Sequence, residues 1–275
     1  MIFQRFIRLL LISFLFQIPS FASESQLTLK TQGKMNQQIP LSELVKKVQP
    51  EKITVSNPID GKLHTYEGIP TQKLFDHVWG SQWRTGDEIL MTCLDGYQPS
   101  IPVDRFLHHQ SWIATRRIDS ANFTATSQKD QKAIQLGPFY LIWENLKDQE
   151  MKAEGENGWP YQLIAFDQIQ FIEKFPKLAP SPHASRSARA GFVAFRKYCL
   201  KCHAINQEGG NVGPELHTPV NVTQYFNQKW LKVWIKDPSL VRKNSKMPPP
   251  LYDLKDPKKI DEVVNDLIAY LKSIP

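Results

Sequence analysis

The chain has 275 residues, with 34 Lys+Arg against 27 Asp+Glu and three cysteines. That length accommodates two modest domains, and three cysteines are too few for a disulfide framework. The formal charge of +7 is uneven: residues 24–184 hold 17 basic and 19 acidic side chains, residues 185–275 hold 15 and 8. The basic excess therefore belongs to the C-terminal third, and it favours acidic protein surfaces over nucleic acid as partners.

Residues 1–22 read as a secretory signal peptide. Arg5 and Arg8 precede an apolar run from Leu9 to Phe16, and Ser20-Phe21-Ala22 is a small-x-small cleavage site. The run is short for a bilayer, so cleavage near Ala22 and a bacterial periplasmic location are expected, with a retained anchor as the alternative. No later segment reads as a membrane span.

Residues 25–176 alternate short β-like runs with short helices, which predicts an α+β domain with more sheet than helix. Leu41 to Val48 reads as a helix stopped before Pro50, Ile53 to Ser56 as a strand, and Pro58-Ile59-Asp60-Gly61 as a turn. A helix starts at Pro70, with Leu74, Phe75 and Val78 on one face. Ile89 to Leu94 is a strand, Asp95-Gly96 a tight turn, and Tyr97 to Val103 the returning strand. Further β-like runs are Phe139 to Trp143, Tyr161 to Phe166 and Ile169 to Ile172.

Over roughly residues 40–175 these features come in a suggestive order: Tyr66-Glu67-Gly68-Ile69-Pro70, Asp95-Gly96-Tyr97, Gly137-Pro138 before a hydrophobic strand, and Trp159-Pro160-Tyr161. The order resembles the small members of the sulfite-oxidase-type molybdopterin-binding fold. The resemblance implies Cys93 as a molybdenum ligand, with Arg116-Arg117 and His108-His109 as the compact basic groups for a pterin phosphate. The other reading of Cys93 is a buried, inert strand residue, and of the histidine pair a solvated helix end.

Lys177 to Ser187, KLAPSPHASRS, reads as a linker because Pro180 and Pro182 stand among small polar residues. The second domain, 188–275, is expected to be all-α. Apolar or small residues at Ala188, Gly191, Phe192, Phe195 and Tyr198 form one helical face. That helix leads into Cys199-Leu200-Lys201-Cys202-His203, the C-x-x-C-H pattern of covalent c-type haem attachment. Two thiols three positions apart lie on one turn and each bond a vinyl group of the same porphyrin, while the next residue points its imidazole at the iron. Trp230 to Ile235 reads as a short helix stopped by Asp237-Pro238. A last helix starts at Asp256-Pro257 and carries Ile260, Val263, Val264, Leu267, Ile268 and Leu271.

The whole second domain resembles class I mono-haem cytochrome c. The resemblance pairs Gly191 and Phe195 on the first helix with Leu267 and Tyr270 on the last. It aligns Gly213-Pro214-Glu215-Leu216 with the family's G-P-x-L loop, so that the Pro214 carbonyl accepts the second ring N–H of His203 and Leu216 walls the haem pocket. Lys246-Met247-Pro248-Pro249-Pro250 fits the distal ligand loop, which makes Met247 the sixth ligand, with His217 as runner-up. Trp230 and Trp234 are expected in the core or against the haem, and an indole N–H or Arg242 is a candidate for a propionate.

His/Met ligation leaves no open coordination position and suits outer-sphere electron transfer. Lys201, Lys229, Lys232, Lys236, Arg242, Lys243 and Lys246 crowd the segments expected around the haem and would steer an acidic redox partner. Three readings stay open. One is a periplasmic electron carrier whose first domain docks a partner or is a degenerate molybdopterin-type domain. The second is a molybdenum enzyme passing electrons from Cys93 to its own haem, and the third a haem-based sensor.

Overall fold

The computed structural model describes residues 24–156 and 158–274; the signal segment read over residues 1–22 lies outside them. Among the described residues no helix is long and apolar enough to cross a membrane.

Two sheets frame the N-terminal region. The first runs β2 (Lys34–Pro40), β1 (Gln26–Thr31), β11 (Leu163–Ile169), β5 (Glu88–Cys93), β6 (Ser100–Pro102), and β1 pairs parallel to β11 in an otherwise antiparallel arrangement. The second runs β10 (Tyr140–Trp143), β7 (Ser111–Arg117), β4 (Leu63–Pro70), β3 (Glu51–Ser56). A small ribbon joins β8 (Thr124–Thr126) to β9 (Ala133–Gln135). Helices α1 (Leu41–Lys47), α2 (Thr71–Trp79), α3 (Val103–His108), α4 (Gln149–Ala153) and α5 (Phe171–Lys174) fill the connections.

Alternation decides which side chains the sheets bury. Leu27 and Leu29 of β1, Ile89 and Met91 of β5, and Phe166 of β11 share one core with Tyr66, Ile69 and Ile113 of the other sheet. Phe75 of α2 sits at its centre, with the rings of Trp79, Trp83, Phe106 and Phe166 at 5.0, 5.2, 5.3 and 5.6 Å. Each fully buried aromatic contributes on the order of 1.5–3 kcal/mol.

Several expected elements differ in extent. The runs Tyr161 to Phe166 and Ile169 to Ile172 are one strand, β11, followed by α5, because β11 pairs on both edges and carries its polar Asp167 and Gln168 through the sheet. The strand expected from Tyr97 to Val103 pairs only over β6; Val103 begins α3. Pro70 closes β4, and α2 starts one residue later.

The helical region packs α6 (Arg186–Tyr198) across α9 (Pro257–Ser273). Ser185 caps α6 by accepting from the Ala188 N–H at 3.1 Å, and Asp256 caps α9 through the Lys258 N–H at 3.0 Å. A Cβ at Gly191 would overlap the Asp266 carbonyl and meet Tyr270 Cβ at 2.7 Å, so only glycine permits this approach. Phe195 and Phe192 then stack on Tyr270 at 5.4 and 5.6 Å. Shorter helices α7 (Val222–Tyr225) and α8 (Gln228–Lys236) complete the region.

The two regions are joined by more than chain. Leu90, Ile169, Phe171, Phe175 and Leu178 belong to the apolar cluster of Phe192, Phe195 and Tyr270. Leu178 is fully buried, and its carbonyl accepts from the Tyr270 hydroxyl at 2.7 Å, so the start of the proline-rich segment is anchored. The guanidinium of Arg196 pairs with buried Glu88 of β5 and lies 3.6 Å over the Phe171 ring.

Candidate functional site

The C-x-x-C-H stretch continues from the last turn of α6. The Cys199 and Leu200 N–H groups both donate to the Phe195 carbonyl at 2.9 Å, and the Cys202 and His203 N–H groups to the Cys199 carbonyl at 3.0 and 2.9 Å. Leu200 is buried and pins the turn, leaving both cysteines half-buried. Burial pushes the Cys199 thiol up to about 12 and raises that of Cys202, with Lys201 opposing in both cases. The two sulfurs are therefore neutral thiols on one turn, free of any disulfide.

His203 is buried, and Nδ1 donates to the Pro214 carbonyl at 2.8 Å, the bond expected from the G-P-x-L loop. Its Nε2 forms no hydrogen bond among the described residues. Burial lowers the imidazole's affinity for a second proton, with the Pro214 bond opposing. The ring is thus neutral, and the Nε2 lone pair is available. Gly213 makes the close approach feasible: a Cβ there would stand 2.6 Å from Nδ1 and 2.9 Å from Nε2. The Gly213 N–H donates to the Cys202 carbonyl at 2.7 Å, closing the loop onto the motif.

Glu215, given no role in the sequence reading, holds this loop. Its carboxylate accepts from the N–H groups of Asn206, Gln207, His217 and Thr218 at 2.9, 3.1, 3.0 and 3.3 Å. Burial works against its charge, yet those four donors keep the carboxyl below the usual range. The x of G-P-x-L is the only sequence signal, and it names no residue type. Leu216 packs against the apolar cluster that also contacts Cys199 and Phe226. His217 is tied to the Asn221 amide at 3.0 Å.

Asn227 caps α8 by accepting from the Lys229 and Trp230 N–H groups, and Leu231 and Ile235 bury its inner face. Trp230, expected in the core or against the haem, is half exposed and lines a groove of about 490 Å³ with Tyr225, Phe226, Asn227, Leu240 and Val241. Trp234 stacks on Phe226 at 6.1 Å. Its indole N–H points to Met247 Sδ at 3.2 Å, so the propionate role weighed for that N–H has a different taker. Met247 is held from its backbone too: Ser245 Oγ accepts the Met247 N–H at 3.2 Å.

The donor set on this domain is therefore two neutral thiols on one turn, a neutral imidazole with a free Nε2, and a thioether held by Trp234, whose neighbour Phe226 lines the apolar groove. That chemistry fits a covalently attached porphyrin iron.

The basic residues divide. Lys229, Arg242, Lys243 and Lys246 are exposed and Lys232 half-buried. Lys236 pairs with Asp261. Lys201 does not join an open face: it is half-buried with its ammonium 5.2 Å from the Tyr252 ring centroid, and the Gln98 N–H of the N-terminal region donates to its carbonyl at 2.8 Å.

Cys93 closes β5 with 3 % exposure, and burial, with Asp95 adding to it, pushes its thiol far up. Arg116 is paired with Glu67, Arg117 with Asp119 and the His64 ring, His109 with Asp148, and His108 with Asp104. The basic groups are committed elsewhere and the charge acting on the thiol is an acid. These residues do not fit a molybdenum–pterin group.

The crossed helices, the motif turn and the Pro214 bond are consistent with a c-type cytochrome domain. Residues 188–275 match the family model described as Cytochrome c. No curated protein matches the chain. The domain match supports covalent haem c and haem-based electron transfer, next to a sheet-rich N-terminal region.

Proposed function

We propose that the protein is a periplasmic electron carrier holding one haem c in a class I mono-haem domain. Cys199 and Cys202 are the thioether anchors, and His203 and Met247 the axial ligands. The observation that carries this reading is the His203 ring: Nδ1 donates to the Pro214 carbonyl, and Nε2 has no hydrogen-bond partner among the described residues.

Bound haem c supplies a one-electron ferric/ferrous couple. The chain's residues do the rest. The Pro214 carbonyl fixes the tautomer and orientation of His203 and raises its basicity. Trp234 and Ser245 hold the Met247 thioether in place. Leu216, Phe226, Leu231 and Ile235 supply a low-dielectric wall. Lys229, Arg242, Lys243 and Lys246 offer positive charge to an acidic redox protein.

The N-terminal domain serves as a fixed neighbour of the attachment motif. The Gln98 N–H donates at 2.8 Å to the carbonyl of Lys201, between the two anchoring cysteines, and the Asn211 N–H donates to the Gly96 carbonyl at 3.3 Å. A likeness of this domain to the sulfite-oxidase-type fold would then be one of scaffold, with Cys93 a buried strand residue.

The test is intact-mass and spectroscopic analysis of protein matured in a periplasm. One added haem mass, iron at one per chain and a near-red thioether-to-iron charge-transfer band lost in Met247→Leu are expected. A bare polypeptide mass would overturn the reading. Molybdenum at one per chain, lost in Cys93→Ser, would favour the enzyme, and carbon monoxide binding to the reduced wild-type protein at neutral pH a sensor.

A further inference from the structure

We propose that the turn Asp95-Gly96-Tyr97-Gln98 is a fixed cap on the Cys202 edge of the haem, with Tyr97 as its inner face, and that it keeps water and other proteins off that edge. The inference rests on haem being bound through Cys202. The N-terminal domain reaches the attachment motif through two backbone bonds. The Gln98 N–H donates to the Lys201 carbonyl at 2.8 Å, and the Asn211 N–H donates to the Gly96 carbonyl at 3.3 Å. Lys201 immediately precedes Cys202. A porphyrin joined to Cys202 by one sulfur has an edge at that residue whatever its tilt, so a turn bonded to Lys201 stands next to that edge. Burial pushes the Tyr97 hydroxyl far up, and Cys202, Cys93, Tyr252 and Tyr161 add to it, which puts the phenol among side chains of both regions.

The turn is stiff from within. Asp95 Oδ1 accepts from the Tyr97 N–H at 2.9 Å. The Gly96 N–H donates to the Cys93 carbonyl at 3.1 Å, and the Cys93 N–H to the Tyr97 carbonyl at 2.9 Å. Gly96 has φ +88°, a conformation glycine adopts without strain, and a Cβ there would overlap the side-chain oxygen of Asn211. Tyr97 and Tyr161 pack against the N-terminal core. The receiving surface is shaped as closely. A Cβ at Gly210 would overlap the Lys201 carbonyl, and the Gly210 N–H donates to the Leu200 carbonyl at 2.9 Å, which brings Asn211 up to the motif. Tyr252 adds a second ring beside the motif, 6.1 Å from that of Tyr198 and 5.2 Å from the Lys201 ammonium.

The direction of the effect follows from charge and solvation. Oxidation adds a positive charge to the haem, and water at the edge stabilises that charge. A cap that excludes water therefore favours the reduced state, and removing it should lower the midpoint potential. The cap also turns a visiting redox protein toward other faces. The exposed Lys229, Arg242, Lys243 and Lys246 attract an acidic surface, whereas the capped edge presents exposed Asp95 and repels one.

The experiment uses full-length holo-protein as wild type, Tyr97→Phe and Tyr97→Ala, with attached haem checked by intact mass. In the ferrous state, NMR follows the protons of the Cys202 thioether bridge, both their nuclear Overhauser contacts to the Tyr97 ring and their broadening by a neutral gadolinium chelate in solution. Solvent exchange of the Gln98 amide and the midpoint potential are measured alongside. In wild type the Tyr97 ring should contact the bridge protons, the chelate should broaden them little, and the Gln98 amide should exchange far more slowly than that of exposed Asp95. Tyr97→Phe, which keeps the ring, should behave as wild type in broadening and potential. Tyr97→Ala should show broadened bridge protons and a lowered potential. A mass without haem would overturn the haem reading itself. Attached haem with no contact between the Tyr97 ring and the bridge would overturn only the cap. So would broadening or potential unmoved in Tyr97→Ala, the same shift in Tyr97→Phe, or a Gln98 amide exchanging as fast as Asp95. The wild-type contact and exchange decide the matter even if Tyr97→Ala does not fold.

Discussion

Arg196→Met tests whether the two regions form one body. The Glu88 side chain is 8 % exposed and that of Arg196 30 %, so the change leaves a carboxylate without its cation in a desolvated place. Breaking a buried pair costs about 3–5 kcal/mol; partial exposure of Arg196 screens it, and ~2–3 kcal/mol is the working figure. Ser100 still donates its hydroxyl to Glu88 and limits the loss. Urea unfolding of the holo-protein reads the cost, and Glu88→Gln with Arg196→Met should recover most of it, because no charge is then buried alone. The pH dependence has a defined sign. Burial raises the Glu88 carboxyl above its ordinary value, with Ser100 and Arg196 pulling it back. Without Arg196 it rises further, so the folded state takes up a proton more readily than the unfolded chain. The deficit is full above the folded value and shrinks as pH falls through it toward the ordinary value of 4.5. A single-variant cost below about 0.5 kcal/mol, the level of an exposed pair, or a double variant equal to the sum of the singles would refute the reasoning.

Gly191→Ala should destabilise the helical domain by about 1–3 kcal/mol or more, since the new Cβ meets the Asp266 carbonyl rather than a movable side chain; thermal unfolding measures it, and a wild-type midpoint would contradict the crossing geometry. Gly213→Ala should push the His203 ring off the Pro214 carbonyl, giving a shifted ferric spectrum and less attached haem per chain. Charge reversal at Lys243 and Lys246, both exposed, should slow association with an acidic redox partner and flatten its dependence on ionic strength; an unchanged salt slope would remove these residues from the docking face.

What could be read from sequence were features whose partners lie close in the chain or follow a fixed spacing. Cys199, Cys202 and His203 share one turn. Gly213-Pro214 lies 11 residues from the imidazole it serves. Pro257 after Asp256 marks a helix start by local chemistry alone. The strands β1, β2, β4, β7, β8 and β9 were not read as strands, and for β2 and β7 the reasons differ. Lys34–Pro40 is an edge strand rich in Lys, Asn and Gln, with Ile39 alone buried. Ser111–Arg117 buries its first four residues on both faces, which removes the alternation that announces a strand. Contacts between regions left no periodic trace. Glu88 and Arg196 are 108 residues apart, and only the oddity of an acid opening an apolar strand hinted that a cation waits elsewhere. The Trp234–Met247 contact spans 13 residues without a motif, so its sulfur acceptor could not be told from a propionate.

The Tyr270 hydroxyl on the Leu178 carbonyl has one more consequence. Where the chain passes from one fold to the other it is clamped at the near end, so the segment that looked like a tether does not set how far the domains may wander. An acidic redox partner of the kind proposed would meet a composite face whose two halves keep their spacing. Its selection would then depend on matching both at once, and a change in either half would be felt as a misfit of the whole.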